Sequence, residues 1–175
     1  TNSSTAEGGE WTGYVPGEEF TIGENITGIR YIFVKEVKDK AGNTATETLK
    51  AGPYIFDNTI PEIKEMKVIA PETGTYKAGE KITIEISWSE NITVLQAPEL
   101  ILKFGEGEER KATHTEVNGS IMKYEYTIEQ GDNGNLSLVD YRGGIVTDGI
   151  NIATPEIKEL GGNKIAADTE GPKVT

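Results

Sequence analysis

The sequence predicts an all-β protein built from β-sandwich units joined in tandem. Asp57-Asn58-Thr59-Ile60-Pro61 returns near the end of the chain as Asp168-Thr169-Glu170-Gly171-Pro172. The two Asp residues lie about 110 positions apart, which is the size of one sandwich unit. About seven or eight short apolar segments, separated by Gly- and Asn-rich turns, lie between the two copies. No segment of usable length repeats its apolar residues with the period of a helix.

Each Asp-x-x-x-Pro copy is interpreted as a joint between units. Proline fixes its own φ and restricts the residue before it to extended conformations, so the chain crosses such a point as a short, stiff segment. The sequence therefore predicts three parts. Residues 1–58 are the C-terminal part of a first domain, residues 59–169 are a complete second sandwich, and residues 170–175 are a linker or the start of a further repeat.

Composition and charge exclude several classes of partner. The chain is 35% hydrophobic and contains 21 Gly, which suits strands that are apolar on one face and joined by tight turns. A net charge of −12 argues against nucleic acid or an anionic membrane surface as a partner. The chain contains no Cys, which excludes disulfides and thiolate metal sites. No stretch approaches the roughly 20 apolar residues of a membrane-spanning helix.

The first half contains one strong strand and hairpin signal. Residues 28–37 are rich in β-branched and aromatic side chains and stop at a turn, residues 39–44, whose Gly-Asn pair suits positive φ. Strict alternation fails around Val34 and Lys35, which predicts a β-bulge there. The returning strand, residues 44–56, contains a Gly-Pro pair of the kind that strands tolerate only at an edge or a bulge.

These residues carry a family resemblance. The run Gly28-x-x-Tyr31-Ile32-Phe33-Val34-Lys35-x-Val37-x-Asp39-Lys40-Ala41-Gly42-Asn43, followed by Asp57-Asn58-Thr59-x-Pro61, resembles the C-terminal half of bacterial immunoglobulin-like repeats. Such repeats occur in tandem in large cell-surface and secreted proteins. The resemblance implies that this segment forms the final hairpin of a sandwich. It also implies that the first domain is incomplete at its N-terminus, because such a sandwich needs about 100 residues, and that its open strand edges favour aggregation.

The second half predicts a full set of sandwich strands. Residues 81–89 alternate without error, and residues 99–104 place their apolar side chains on one face. Asn118-Gly119, a dipeptide favoured in tight hairpins, separates strands at 112–117 and 122–128. The side chains of residues 81–89 that are expected to face inward are Ile82, Ile84, Ile86 and Trp88.

This half resembles a second type of bacterial repeat. Tyr76-x-Ala78-Gly79-Glu80-x-Ile82-x-Ile84-x-Ile86, then Trp88-Ser89-Glu90-Asn91-Ile92-x-Val94, then Pro98-x-Leu100-x-Leu102, resembles the immunoglobulin-like modules of adhesins. Such modules often keep Asp-x-x-Gly-Asn near their end. This chain has Asp148-Gly149-Ile150-Asn151 and separately Gly162-Asn163, so the register of the last strands stays open. The resemblance implies an extracellular bacterial protein, on the cell surface or secreted. It implies neighbouring repeats of the same chain as partners, with a host or matrix glycan or protein as a further candidate.

The residues do not predict an enzyme. His114 is the only histidine, and its place in an alternating segment predicts a surface strand residue. One His without Cys cannot build a zinc cluster, and the Gly-x-Ser-x-Gly motif of a serine nucleophile does not occur. Several carboxylates sit on turns and outward strand faces, where solvation and pairing with Lys or Arg explain them. These are Glu106, Glu108, Glu109, Glu125 and Glu129. We assign no catalytic residue.

Calcium is the one ligand for which the residues suggest a mechanism. Asp57, Asn58 and Glu62 cluster at the first joint and Asp168 lies at the second, and calcium takes six to eight oxygen ligands of these kinds. Asp39 and residues 132–135 are further candidates from end loops. The same Asp residues are also explained, without an ion, as caps that accept backbone N–H groups of the turn. Both interpretations stay open, and no other cofactor is predicted.

Two functions follow from the sequence. The first is a non-catalytic spacer repeat of a large bacterial surface or secreted protein, contributing to adhesion. The alternative is a carbohydrate-binding accessory module of a secreted carbohydrate-active enzyme, because sugars stack on exposed aromatic rings. Buried tyrosines favour the spacer, and a flat exposed pair favours the glycan binder. The tyrosines considered are Tyr14, Tyr54, Tyr76 and Tyr141.

Overall fold

The described part of the chain folds into β-strands joined by turns and loops. The computed structural model describes residues 11–13, 19 and 26–171, and across these residues it contains no helix. The all-β class predicted from the sequence is confirmed. The chain divides into two compact units, Thr1–Thr59 and Ile60–Thr175. The strands are β1 (Gly28–Val34), β2 (Leu49–Phe56), β3 (Ile63–Ala70), β4 (Gly74–Tyr76), β5 (Lys81–Trp88), β6 (Thr93–Gln96), β7 (Glu99–Phe104), β8 (Glu109–Asn118), β9 (Ile121–Thr127), β10 (Asn133–Arg142), β11 (Ile145–Thr147), β12 (Leu160–Gly162) and β13 (Ile165–Asp168).

The first unit contains an antiparallel ribbon of β1 and β2. Its register shifts between Arg30 and Ile32, opposite the Gly52-Pro53 pair. Proline has no N–H to donate, so the ladder is interrupted where Pro53 falls. The prediction of a bulge around Val34 and Lys35 was wrong, because the irregularity lies at Tyr31.

The turn after β1 forms as its residues predict. Lys38 bridges to Thr44, and Asp39 Oδ1 accepts hydrogen bonds from the backbone N of Ala41 and of Asn43, both at 2.9 Å. Gly42 has φ 91°, which only glycine adopts without strain. Residues 35–37, which the sequence assigned to the strand, lie outside it.

The second unit is one long sheet folded into two layers. The strand order is β12-β3-β5-β9-β8-β7-β10-β13-β4. The first residues of β8 pair with β7 and its later residues pair with β9, while β10 pairs with β13 over residues 133–135 and with β7 over residues 136–142. Inward side chains from both halves of this sheet form one core. A separate ribbon of β6 and β11 lies in the same unit.

The core of the second unit comes from strict alternation. Ile82, Ile84 and Ile86 of β5 are fully buried, as the alternation predicts. They pack with Leu102 of β7 and Tyr124 of β9 in the same cluster. Burying one such side chain stabilises the fold by about 1.5–3 kcal/mol, so each of these strands contributes several kcal/mol to the stability of the unit.

The hairpin and the last strands complete the second unit. Asn118 pairs with Ile121, so the two-residue loop is Gly119-Ser120, one position later than the Asn-Gly dipeptide itself. β12 pairs in parallel with β3, and β13 pairs in parallel with β4 and antiparallel with β10. These pairings fix the register that the sequence left open.

Among the described residues there is no helix long and apolar enough to cross a membrane.

Candidate functional site: the two poles of the second unit

The chain enters and leaves the second unit at opposite ends. β3 starts at Ile63, opposite Trp88 at the last residue of β5. The first residue of β5, Lys81, pairs with Thr127 at the end of β9. The loop that follows β9 leads into β10, whose first residue, Asn133, pairs with Asp168 at the end of β13. We call the Trp88 end the entry pole, with Glu62, Ser89, Glu90 and Asp148. We call the other end the exit pole, with the loop at residues 129–133 and with Asp168 and Thr169.

At the entry pole, Ser89 holds the backbone that precedes β3. Its N–H donates to Glu62 O at 2.9 Å, and its Oγ accepts the N–H of Glu62 at 3.0 Å. Pro61 is fully buried. The Glu62 carboxylate points to solvent and pairs with Lys64 at 3.1 Å. The backbone of the entry segment is therefore fixed, whereas the side chain that was predicted as a calcium ligand lies on the surface.

Two further carboxylates lie close together at the entry pole. Oxygens of Glu90 and Asp148 are within 4.8 Å of each other. Asp148 also accepts hydrogen bonds from Ile150 N at 2.6 Å and from Asn151 N at 2.7 Å. Burial opposes ionisation of Asp148, but these backbone hydrogen bonds and one from the Asn151 side chain outweigh it and lower the pKa of Asp148. The pole therefore keeps a local negative charge.

Both repeated Asp residues cap the turn that follows them. Asp57 Oδ1 accepts hydrogen bonds from Thr59 N at 2.9 Å and from Thr59 Oγ1 at 2.6 Å. Asp168 Oδ1 accepts one from Glu170 N at 3.2 Å. The two copies thus share the same bond to the amide two residues later, which is the capping interpretation made from the sequence. Calcium binding by these residues stays a prediction.

The predicted calcium ligands do not all come together. Glu62 lies at the entry pole of the second unit and Asp168 at its exit pole. Asp57 and the exposed Asn58 belong to the first unit. Pro172 and residues 173–175 lie outside the described residues. One calcium ion therefore cannot take both Glu62 and Asp168 of the same unit as ligands, because the two side chains lie at opposite ends of it.

At the exit pole, three residues hold Thr169, the residue that follows β13. Thr169 N donates to Asn133 Oδ1 at 2.9 Å, Gly131 N donates to Thr169 Oγ1 at 2.9 Å, and Gln130 Nε2 donates to Thr169 O at 2.7 Å. We call Gln130, Gly131, Asn133 and Thr169 the exit clasp. It uses the N–H, the hydroxyl and the carbonyl of Thr169, so this residue is fixed in position and orientation.

A buried carboxylate supports the loop of the exit clasp. Asp132 is 2% exposed, and its Oδ1 accepts Arg110 Nε at 2.8 Å. Its Oδ2 accepts the Tyr126 hydroxyl at 2.6 Å and Glu129 N at 2.8 Å. Burial and then the hydrogen bond to Asp132 raise the pKa of Tyr126 above its ordinary range. Asp132 therefore ties the loop to both β8 and β9.

This role of Asp132 is only weakly indicated by the sequence. In Gly131-Asp132-Asn133-Gly134 it looks like a surface turn residue and a candidate calcium ligand from an end loop. The signal that was available is Tyr126, which lies on the inward face of an alternating strand and needs a partner for its buried hydroxyl.

The tyrosines considered for sugar stacking have different environments. Tyr141 is 7% exposed, contacts the Tyr124 ring edge-on at 6.3 Å and donates to Met122 Sδ at 3.5 Å. Tyr76 is partly buried, and its hydroxyl donates to Glu72 O at 2.8 Å. Tyr54 is 43% exposed and belongs to the first unit. Tyr14 lies outside the described residues. Among the described residues of the second unit, no two of these tyrosines make an exposed flat platform.

His114 lies differently from the sequence expectation. Thr113 and Thr115 are exposed, but His114 is half-buried and sits edge-on to the Tyr124 ring at 5.5 Å. Its Nε2 is buried without a hydrogen-bond partner. The expectation of a surface residue was wrong, because Arg110, Ala112 and His114 turn toward the core before the register of β8 shifts between His114 and Glu116.

The acidic residues of turns and outer faces pair with bases. Glu125 pairs with Lys81 at 3.1 Å, Glu108 with Arg110 at 3.2 Å and Glu106 with Lys103 at 3.7 Å. Exposed pairs of this kind contribute about 0–1 kcal/mol each. Their arrangement is that of a solvated surface.

The second unit thus presents two anchored chain ends at opposite poles.

A scan against protein-family models finds no match, and a search of curated proteins finds no matching sequence.

Proposed function

We propose that the chain is a run of immunoglobulin-like sandwich repeats that acts as a non-catalytic spacer in a large bacterial cell-surface or secreted protein, with a contribution to adhesion. The observation that carries the proposal is that the second unit holds its entering and leaving segments at opposite poles. A domain with this layout adds its own length to a string of domains. A domain whose ends meet at one pole does not.

The hydrogen bonds at each pole give a spacer its stiffness. Fixing the backbone of one residue costs about 1–2 kcal/mol of conformational entropy, which the contacts at that residue must offset. Glu62 has two hydrogen bonds to Ser89, and Thr169 has four to the other residues of the exit clasp. The chain is therefore held up to the Asp-capped turn at the exit and from the buried Pro61 at the entry.

Surface charge supports the same role. The net charge is −12, and the outer face of β3, β5 and β9 carries alternating acids and bases, such as Lys67 with Glu85 at 3.3 Å and Lys81 with Glu125. Like-charged chains repel each other and stay dispersed. A spacer that is displayed in many copies needs this property.

Backbone relaxation by NMR tests the proposal. We expect the amides of Glu62 and Thr169 to be as rigid as those of β5, with order parameters near about 0.85. Values below about 0.6 at either amide would contradict a stiff spacer. Ser89→Ala and Thr169→Val should loosen the entry and exit amides respectively. Ser87→Ala, on the outer face of β5, and the exposed Thr127→Val are matched controls that should leave both amides unchanged.

Calcium at the joints belongs to this proposal as a separate prediction. The candidate ligands are Asp57, Asn58, Glu62 and Asp168. A ligand that binds only the folded state raises the unfolding midpoint. Thermal unfolding with calcium, with magnesium and with a chelator therefore decides the matter. A calcium-specific rise supports the prediction, and identical midpoints contradict it.

Glycan binding is the second candidate function. Of the four tyrosines, Tyr54 of the first unit is the most exposed one that the structure describes, at 43%. The burial of Tyr141 and Tyr76 favours the spacer. Titration with oligosaccharides, monitored by NMR, should leave the Tyr54 signals unshifted. Shifts that are lost in Tyr54→Ala would favour the glycan binder instead.

A further inference from the structure

The chain contains two Asn-Gly pairs in unlike surroundings, Asn118-Gly119 and Asn133-Gly134. An Asn followed by Gly can cyclise, because the glycine amide has no side chain to hinder its approach to the neighbouring side-chain amide. The reaction needs a mobile Asn side chain and a local backbone that can rearrange. The two pairs differ in the hydrogen bonds of the Asn side chain and in the pairing of the Gly, since Gly134 lies in a ladder and Gly119 lies in a loop.

Asn118 lies at the tip of the β8–β9 hairpin. It is the last residue of β8 and is exposed, and the next two residues form the loop. Gly119 has φ 60° and is exposed. Its carbonyl, which takes no part in the cyclisation, accepts Ile92 N at 3.0 Å. The hairpin tip therefore leaves the reacting groups accessible to water.

Asn133 lies inside the exit clasp. Its Oδ1 accepts Thr169 N at 2.9 Å and contacts Thr169 Oγ1 at 3.4 Å, and its Nδ2 donates to Gly131 O at 3.5 Å. Both Asn133 and Gly134 also pair with β13 in the ladder. Cyclisation at this position would have to break the clasp and the start of β10. The fold therefore protects this second pair.

We infer that Asn118 is a site of spontaneous deamidation, which gives the hairpin tip at the entry pole a slow, one-way chemical change, and that Asn133 is protected by the exit clasp. The Gly119 nitrogen attacks Cγ of Asn118. A new N–Cγ bond forms, the Cγ–Nδ2 bond breaks, and ammonia leaves with the proton from the glycine nitrogen. Water then opens the succinimide. Cleavage at Cγ gives an aspartate on the normal backbone, and cleavage at the main-chain carbonyl gives isoaspartate.

The product changes the tip in two ways. Each product adds one negative charge close to Glu116 and to the acidic entry pole. Isoaspartate also inserts a methylene into the main chain beside Gly119, whose carbonyl holds Ile92 N. The hairpin tip and the start of the segment before β6 should therefore be displaced together.

Incubation of the intact chain at mildly alkaline pH, followed by digestion under acidic conditions and peptide mass spectrometry, tests the inference. We expect the amide-to-acid mass change at Asn118 several-fold faster than at Asn133, with isoaspartate as the larger product. A synthetic peptide that spans residues 116–122 gives the rate of the unfolded sequence. If Asn133 converts as fast as Asn118, or if Asn118 stays intact while the peptide converts, the inference is overturned.

Two variants separate the chemistry from the fold. Asn118→Gln keeps the side-chain amide but makes a larger ring necessary, so the acidic species should disappear on ion exchange while the unfolding midpoint stays unchanged. Thr169→Val removes the hydroxyl that contacts Asn133 and should raise the conversion rate at Asn133 but not at Asn118. Equal rates at Asn133 in Thr169→Val and in the parent chain would contradict protection by the clasp.

Discussion

Two antiparallel strand pairs of this protein use similar residues but differ in burial. β1 is mostly half-buried and β2 mostly exposed, whereas β5 and β9 bury every second side chain. β1–β2 in the first unit and β5–β9 in the second are both rich in β-branched and aromatic side chains. Ile84 of β5 is fully buried, whereas Ile55 of β2 is 67% exposed. The other residues of β2 are also exposed, apart from Phe56 at its end. A strand pair contributes stability only where another layer covers one of its faces, so residue type alone does not predict its contribution.

Truncation of one central side chain in each strand pair should give the largest difference in the free energy of unfolding. Ile84→Ala should cost about 2–5 kcal/mol in the free energy of unfolding of the second unit, because it leaves a cavity in a close-packed core. Ile55→Ala should change the unfolding of the chain by no more than about 0.5 kcal/mol. Denaturant unfolding monitored by tryptophan fluorescence measures both. Equal losses would show that the ribbon is covered in solution.

Removal of the buried Asp132 carboxylate should also cost several kcal/mol in the free energy of unfolding of the second unit. Asp132→Ala removes the acceptor for the Tyr126 hydroxyl and for Glu129 N, and it leaves Arg110 paired only with glutamates near solvent. We expect a loss of about 3 kcal/mol. Asp140→Ala, which removes an exposed partner of Arg142, is the control and should cost less than about 1 kcal/mol. An equally small loss for Asp132→Ala would mean that the buried network does not stabilise the loop.

Alkaline pH should destabilise the covered layers. Burial raises the pKa of Tyr124 from 10.0 to about 12, and burial likewise raises the pKa of Tyr141. A group whose folded pKa is raised stabilises the fold fully below its unfolded pKa and loses that effect as pH rises through the folded value. Stability should therefore fall between about pH 10 and about pH 12. Unfolding midpoints against pH check this, and Tyr124→Phe should flatten the fall. A flat profile in the parent chain would contradict it.

The smallest change in stability is expected in the β1–β2 ribbon. Lys50 Nζ sits 4.2 Å from the centre of the Tyr31 ring, an exposed cation–π contact. Lys50→Ala should reduce the local stability of the ribbon by about 0.5 kcal/mol. Hydrogen exchange of the β1 amides measures this loss, and Lys81→Ala in the second unit, which breaks an exposed ion pair, should leave those amides unchanged. A loss of several kcal/mol in the local stability of the ribbon would mean that Lys50 makes stabilising contacts besides this one.

Local patterns that depend on neighbouring residues were predictable from the sequence. The alternation at residues 81–89 predicted the inward face of β5, and Asp39-Lys40-Ala41-Gly42-Asn43 predicted the turn after β1. The Asn118-Gly119 dipeptide predicted the β8–β9 hairpin, although the loop starts one residue later. Each of these features is set by side-chain period or by a required positive φ, both of which a short window of sequence contains.

Features that depend on distant partners were missed. Asp132 appeared to be a surface turn residue because the side chains that bury its carboxylate lie on two other strands, Arg110 on β8 and Tyr126 on β9. Tyr141 was considered for sugar stacking, but it lies in the core, after a register shift between Leu138 and Asp140 of β10. His114 was expected at the surface, but β8 changes partners near it. In each case the tertiary fold, and not the local sequence, decides which way the side chain points.

The positions of β3 and β13, the first and last strands of the second unit, have a mechanical consequence. β3 lies between β5 and β12, and β13 lies between β10 and β4, so each strand is held on both sides. Tension applied through Glu62 and Thr169 would run along these strands and across their ladder bonds. Bonds loaded in shear must break together, whereas bonds at an unzipping end break one at a time. The unit should therefore resist extension up to a high force and then rupture in a single step.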